Sequence, residues 1–222
     1  MIPMSEKYGE IPKPFTREWW SYIWLYYKWR IILVLALIFL ISIIVFENTT
    51  ASKYDLTLTY AVESHLKEEL RLKAEEKIQP LCEDINKDGE KLLSFISMDF
   101  SKQALKDVQY AAAINMKLQH TVSEDDAYIY IFSKSIVDMY ENENTHISVF
   151  TPLEKWVDSS VDEELKYKNV AISLENNKLF SELGMDMKDA YLAIRFEPDD
   201  DETKRIKEYK AAINLANAIL NY

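Results

Sequence analysis

The sequence predicts an α/β protein in two parts: a single N-terminal transmembrane helix, then a three-layer α/β domain with a mostly parallel sheet. Three observations carry this prediction. The run from Ile31 to Phe46 is apolar and contains no charge. After it, strand-like and helix-like segments alternate, an order that places helices on both faces of a parallel sheet. The chain is 48% apolar and 13% aromatic, a composition typical of a folded domain.

The apolar run is slightly too short to cross a bilayer alone. As a helix it spans about 24 Å, against about 30 Å for the hydrocarbon core. A collar of Trp and Tyr precedes it, including Trp20 and Trp24, and these side chains favour the headgroup level. We therefore predict a membrane helix over residues 23–46, a tail of residues 1–22 and a linker of residues 47–53. The alternative is a buried core helix, against which the collar argues.

The flanking charges predict the orientation of this helix. Five Lys/Arg lie within residues 1–30, whereas only Lys53 follows the helix closely. Positive charge is retained on the cytoplasmic side. We therefore expect a single-pass protein of the cell membrane, with a cytoplasmic N-terminus and an extracytoplasmic domain over residues 54–222. A cleaved signal peptide is the alternative, but Thr49-Thr50-Ala51 is a weak cleavage site, which favours an uncleaved anchor.

The first half of the outer domain alternates strand and helix. Short runs rich in Thr, Tyr, Ile and Leu indicate strands, and apolar residues recurring every three or four positions indicate helices. The predicted strands are Tyr54–Val62, Lys91–Met98 and Ala127–Phe132, and the predicted helices are Glu63–Gln79, Ser101–His120 and Ser135–Tyr140.

The second half of the outer domain is less regular. A polar loop is predicted over Glu141–His146 and a helical turn over Pro152–Val157. Two more strands are predicted at Tyr167–Leu174 and Ala190–Phe196. The acidic run Asp199–Glu202 opens a last helix, because negative charge suits the N-terminal end of a helix dipole.

Composition excludes several functional classes. Residues 1–30 carry five basic and three acidic residues, so 21 basic and 34 acidic residues remain, a net charge of −13. Such a surface argues against nucleic acid, which needs basic patches, and against lying flat on anionic lipid. The chain has only three glycines, too few for a Gly-rich phosphate loop. Its one cysteine, Cys82, cannot form an internal disulfide and is expected to be a buried apolar residue.

One segment matches half of a calcium-binding loop. In Asp84-Ile85-Asn86-Lys87-Asp88-Gly89, the oxygens of Asp84, Asn86 and Asp88 alternate as the D-x-N-x-D-G pattern requires. The second half is missing, since Phe95 stands where a bidentate Glu is needed. The same residue types also form ordinary turns. The pattern therefore leaves calcium and a plain turn open and favours the turn; no other cofactor is predicted.

Small polar residues follow two of the predicted strands. Asp99 and Ser101 come after the second strand, and Ser133 and Ser135 come after the third. Ligands of open α/β sheets bind beyond the carboxyl ends of the strands, so these four residues are the candidate ligand-binding residues. They are also ordinary helix caps, which is the favoured interpretation.

No catalytic motif is present. The three histidines, His65, His120 and His146, are far apart and are expected to be surface or loop residues. The chain has no G-x-S-x-G turn and no Cys/His signature. We therefore expect a protein that is not an enzyme.

Several segments carry a resemblance to a known family. They are AAAINMKLQHTVSEDDAYIYIF (Ala111–Phe132), FTPLEKWV (Phe150–Val157) and VAISLENNKLFSELGM (Val170–Met185). Together they resemble one lobe of bacterial extracellular solute-binding proteins, the receptors of ABC importers. The aromatic opening, Trp24–Trp29, resembles uncharacterised single-span proteins of Firmicutes. The resemblance implies a periplasmic-binding-protein lobe, here carried on a membrane helix.

Three functions follow as hypotheses. The first is a non-catalytic, membrane-anchored domain that binds a protein partner or a weak ligand at the cell envelope. The second is a solute-receptor lobe that serves the transporter subunits of an ABC importer and works as a dimer of two such lobes. The third is an envelope hydrolase, which needs a nucleophile–base pair that the sequence does not reveal.

Overall fold

The computed structural model describes residues 12–50, 54–123, 127–141, 149–157, 161–198 and 203–222. The chain forms two compact units, Met1–Ser52 and Lys53–Tyr222. Most of the predicted loop Glu141–His146 and the acidic run Asp199–Glu202 lie outside the described residues, as do residues 1–11 of the predicted tail.

The first unit contains one long helix, α1 (Arg17–Thr50, 34 residues). It starts where the Thr16 hydroxyl accepts a hydrogen bond from the Trp19 N–H at 3.2 Å, and no Gly or Pro interrupts it. The span Arg17–Ile43 is long and apolar enough to cross a membrane, and none of it is buried in the protein. The predicted span of 23–46 is therefore confirmed as helix. The helix is longer at both ends, since it includes the end of the predicted tail and the start of the predicted linker.

The second unit is a mixed α/β domain around one six-stranded sheet. The strands are β1 (Leu56–Val62), β2 (Leu93–Asp99), β3 (Ile129–Ser133), β4 (Lys166–Tyr167), β5 (Ala171–Ser173) and β6 (Ala190–Ile194). Their order across the sheet is β2-β1-β3-β6-β5-β4.

The sheet is parallel only in its first half. β1 pairs in parallel with β2 and β3, whereas β6 is antiparallel to both β3 and β5, and β5 is antiparallel to β4. The prediction of a mostly parallel sheet is thus only partly right. The physical reason lies in the connections: helices of 11 and 16 residues cross over between the first three strands, whereas a tight turn joins β4 to β5 and only the five-residue α5 lies between β5 and β6.

The predicted strand Tyr167–Leu174 is in fact a hairpin. Lys168 and Asn169 have φ values of 48° and 55°, which turns the chain back between β4 and β5. Two successive positive φ values match the right-handed twist of a tight hairpin, and Asn tolerates this conformation well. Strand-forming residues lie on both sides of this turn, so the sequence pattern predicted one continuous strand.

Five helices belong to the second unit among the described residues: α2 (Glu68–Ile78), α3 (Val108–Ser123), α4 (Lys134–Tyr140), α5 (Lys178–Glu182) and α6 (Thr203–Leu220). Short 3-10 turns lie at Gln79–Leu81, Ala104–Lys106, Leu153–Lys155 and Glu163–Leu165. Two helices start later than predicted. α2 begins five residues after Glu63, and α3 begins at Val108, where Asp107 Oδ1 accepts the N–H of Gln109 and of Tyr110.

Two apolar cores flank the sheet. Leu58 and Tyr60 of β1 face a core that includes residues of α2 and α6, whereas Ala61 faces a core that includes residues of α3 and α4. Helices thus cover both faces. The crossovers β1–α2–β2 and β2–α3–β3 lie on opposite faces because they run in opposite directions along the sheet.

Candidate functional site

A cleft opens at the carboxyl ends of β1 and β3. β1 and β3 are neighbours, and the chain leaving β1 runs to α2 on one face of the sheet, whereas the chain leaving β3 enters α4 on the other face, so the two connections diverge at this point. Such a switch in direction leaves a crevice beyond the strand ends. The cleft encloses about 500 Å³. Its lining residues lie at three places: the end of β1 (Val62, Glu63 and Ser64), the end of β3 and the helix α4 (Ser133, Lys134, Ser135 and Asp138), and the loop before β6 (Asp186, Lys188 and Asp189).

The antiparallel strand β6 supplies one wall of this cleft. Its first residue, Ala190, pairs with Ser133, the last residue of β3. The loop before β6 therefore reaches the same edge at which β3 ends, and the Lys134 N–H donates to the Asp189 carbonyl at 3.1 Å. Sequence reasoning missed Asp186 and Asp189 because it placed β6 in a parallel sheet, where its N-terminal end would lie at the opposite edge.

A chain of hydrogen bonds joins the two strand ends. The Ser135 hydroxyl donates to Glu63 Oε1 at 2.7 Å, across 72 positions of sequence. The Ser133 and Ser135 hydroxyl oxygens are 3.0 Å apart, and Ser133 is only 2% exposed. Because a hydroxyl has one proton and that of Ser135 goes to Glu63, the proton between the two serines comes from Ser133. The chain thus runs Ser133 to Ser135 to Glu63.

Asp138 is ionised, and its negative charge is balanced by Lys168 within the cleft wall. The Tyr167 hydroxyl and the Lys168 ammonium both lie 2.6 Å from Asp138 Oδ1. Partial burial opposes ionisation of Asp138, but the hydrogen bonds from Lys168 and Tyr167 outweigh it and lower its pKa. Burial, followed by the Asp138 carboxylate, raises the pKa of Tyr167 to about 12. Lys134 Nζ lies 5.2 Å from the centre of the Tyr167 ring, at cation–π distance.

Tyr60 and Ser64 lie beside this wall at the end of β1. The Tyr60 hydroxyl is 3.5 Å from the Ser64 hydroxyl oxygen. Burial raises the pKa of Tyr60, and the negative charge of Asp186 adds to the rise. Asp186 therefore lies close enough to the end of β1 for its charge to affect the Tyr60 side chain.

The four predicted ligand-binding residues fall into two groups. Ser133 and Ser135 line the cleft, whereas Asp99 and Ser101 lie at the end of β2 and do not. Asp99 Oδ2 is 2.6 Å from His65 Nδ1, and Asp99 Oδ1 accepts the Ser101 N–H at 2.8 Å. Partial burial opposes ionisation of Asp99, but the hydrogen bonds from Ser101 and His65 outweigh it and lower its pKa. The Ser101 hydroxyl accepts the Ala104 N–H at 3.3 Å and so opens the 3-10 turn.

The predicted calcium loop is a turn built on its own side chains. Asp84 accepts the N–H of Lys87 at 2.7 Å and of Gly89 at 3.0 Å, and Asn86 Oδ1 accepts the Asp88 N–H at 2.8 Å. Gly89 has a φ of 92°, which favours glycine. Within the described ranges, no three His, Cys, Asp or Glu side chains gather as a metal site would. Calcium binding by Asp84, Asn86 and Asp88 stays a prediction that calorimetry tests.

Comparisons of the chain with protein-family models, with curated proteins and with solved structures found no match. The functional proposal below is therefore based on the geometry and the charges of the cleft.

Proposed function

We propose that this chain is a membrane-anchored, extracytoplasmic binding protein that holds a small polar ligand in the cleft between the ends of β1 and β3, without chemically converting it. One observation carries the proposal: a cleft of about 500 Å³ lies at the point of the sheet where α/β domains bind ligands. Its volume is within the range of small-molecule sites. The strand order β2-β1-β3, which creates this cleft, is also compatible with the resemblance to a solute-binding lobe.

The length of α1 supports an uncleaved anchor. Its stretch that could cross a membrane, Arg17–Ile43, covers 27 residues, and the apolar run beginning at Ile31 follows a long aromatic collar, whereas a signal peptide has a short charged region and then an apolar region of about 7–15 residues. The basic residues of the first thirty positions support a cytoplasmic N-terminus. With a single membrane span, the binding domain would then lie on the extracytoplasmic side.

The direction of the hydrogen bonds supports binding over hydrolysis. The Ser133 and Ser135 protons run towards the Glu63 carboxylate and not towards an imidazole. His65 is engaged with Asp99, outside the cleft lining. A serine nucleophile needs a base that takes its proton and is matched to that task, and the Glu63 carboxylate is a weak base for this purpose.

A solute-receptor lobe that serves an ABC importer is the second candidate. The observation that favours it is the open cleft at the edge of a single domain, where a second copy can cover a bound ligand. Light scattering with and without ligand distinguishes the two candidates, since a receptor made of two lobes dimerises when ligand is added. Crosslinked affinity purification from native membranes then identifies transporter subunits or an envelope protein as the partner.

A thermal-shift screen tests ligand binding itself. Full-length protein in lipid nanodiscs is heated with millimolar solutes of different charge. A ligand present at 100 times its Kd raises the free energy of unfolding by about 2.7 kcal/mol. Ser135→Trp fills the cleft and abolishes the shift, whereas Ser181→Trp, on the exposed face of α5, retains it. The proposal fails if no solute shifts the wild-type protein, or if Ser135→Trp still responds.

A further inference from the structure

We infer that the ligand of this cleft is a small organic cation that carries a primary ammonium group. The inference rests on the proposed function and adds the chemical class of the ligand. Three features of the cleft point to it: the direction of its hydrogen bonds, its unpaired carboxylates and its volume.

The hydrogen-bond chain presents acceptors to the cleft. The protons of Ser133 and Ser135 are both used within the chain that ends on Glu63 Oε1. What remains open is the second carboxylate oxygen of Glu63 and one lone pair of the exposed Ser135 oxygen, since its other lone pair accepts the proton of the buried Ser133. A ligand that donates hydrogen bonds satisfies these groups, whereas a ligand that offers only acceptors leaves them unpaired, at a cost.

Three carboxylates of the cleft have no ionic partner among the described residues. Glu63, Asp186 and Asp189 line the cleft without forming an ion pair there, whereas Asp138 is paired with Lys168. Of the two lining ammonium groups, that of Lys134 rests over the Tyr167 ring. The ammonium groups of Lys134 and Lys188 therefore stand against three carboxylates without an ion pair, so the lining keeps an excess of negative charge and attracts cations.

The size of the cleft distinguishes an organic cation from a bare metal ion. A volume of about 500 Å³ accommodates a ligand of several heavy atoms. A metal ion would need three or more convergent ligands, and no such group is found in the described part of the chain. An ammonium group has three donors and no acceptor, which matches a carboxylate flanked by serine oxygens.

Three isosteric probes test the inference: diaminobutane, butanediol and succinate have the same four-carbon length but are cationic, neutral and anionic. Their binding to full-length protein in nanodiscs is measured by calorimetry at neutral pH and low salt. We expect diaminobutane to bind at least roughly tenfold more tightly than the other two, because its ammonium groups form charge-assisted hydrogen bonds.

Matched variants locate the binding. Glu63→Gln keeps an oxygen for the Ser135 proton but removes the charge, and should weaken diaminobutane binding by roughly tenfold. Asp189→Asn is a second variant, suited to the φ of 56° at this position. Glu154→Gln removes the same charge from an exposed turn outside the cleft and should leave the affinity unchanged.

Three results overturn the inference. The first is that butanediol or succinate binds as tightly as diaminobutane, and the second is that diaminobutane does not bind. The third is an affinity for diaminobutane that neither Glu63→Gln nor Asp189→Asn lowers. If the solute screen still yields a neutral or anionic ligand that Ser135→Trp excludes, only the inference fails; if the screen yields no ligand, the proposed function fails with it.

Discussion

At the scale of single residues, the domain keeps its partly buried charges by pairing them closely. Asp138 receives a phenol and an ammonium group on one oxygen, and Asp99 receives an imidazole and a backbone N–H on its two oxygens. Each arrangement stabilises the ionised form of the carboxyl group against the cost of burial. By contrast, Cys82 is buried, and burial, followed by the charge of Asp55, raises the pKa of its thiol to about 12, which disfavours the reactive thiolate.

Removing the Tyr167 hydroxyl should destabilise the domain. Tyr167→Phe deletes the hydrogen bond to Asp138 and should lower the free energy of unfolding by about 1–2 kcal/mol in urea at neutral pH. An absorbance titration should also lose the phenol that ionises at about pH 12. Tyr54→Phe, at an exposed position, should leave the free energy of unfolding and the phenol near pH 12 unchanged. A phenol that still ionises at about pH 12 in Tyr167→Phe, or an unchanged free energy of unfolding, would contradict this account.

Asp138 should also make stability depend on acid pH. Its pKa is lower in the folded than in the unfolded protein, so its contribution is complete above the ordinary carboxyl pKa of about 4. The contribution disappears as the pH falls through the lowered pKa, because the unfolded chain takes up the proton first. Urea unfolding between pH 6 and pH 2 should therefore show a flatter profile for Asp138→Asn than for the wild type. Asp162→Asn, at an exposed position, should retain the wild-type slope.

At the scale of elements, side chains at helix and strand ends determine how neighbouring elements meet. Asn177 is the clearest case, since it serves two helices. Its Oδ1 accepts the Leu179 N–H at 3.1 Å and caps α5, while its Nδ2 donates to the Ile219 carbonyl of α6 at 2.8 Å. The amide group therefore fixes the start of one helix against the end of another.

Substitutions at Asn177 should separate these two contacts. Asn177→Ala loses the cap and the bond to α6, and should lower the free energy of unfolding by about 1.5–3 kcal/mol. Asn177→Asp keeps the cap and loses only the donor, so it should have a smaller effect. Chemical denaturation measures both variants. Equal losses would mean that the cap contributes nothing.

At the scale of the whole molecule, a helix that can cross a membrane and an α/β domain are two compact units of one chain. The net charge of −13 beyond residue 30 belongs almost entirely to the second unit, which suits a domain that does not lie on anionic lipid. The proposed anchor would keep the binding cleft at the cell envelope.

Charges placed within α1 should release the protein from the membrane. Leu35→Arg together with Ile38→Arg puts two charges near the centre of the span, at a cost of about 5–7 kcal/mol. Alkaline extraction of membranes should then leave the variant in the soluble fraction. Leu72→Arg with Met116→Arg, at exposed positions of the α/β domain, is the control and should stay in the pellet. Retention of both variants in the pellet would contradict the anchor.

Local patterns in the sequence determined most elements of this protein, though not the turn between β4 and β5. The uncharged run from Ile31 to Phe46 and the aromatic collar before it predicted the central part of α1, because a long apolar helix is recognisable from composition. The three parallel strands were predicted within a few residues of their observed positions. Ser133 and Ser135 were identified because they follow a buried strand, and both line the cleft.

Only the tertiary structure decided which elements are neighbours. The antiparallel placement of β6 depends on pairing with β3 across some sixty residues, which no local pattern encodes. The same is true of the contact between Ser135 and Glu63, and of the arrival of Asp186 and Asp189 at the end of β3. Residues distant in sequence meet through strand order and strand direction. The sequence therefore determined the membrane-spanning helix, the three parallel strands and two serines of the site, and the folded sheet determined the carboxylates that surround them.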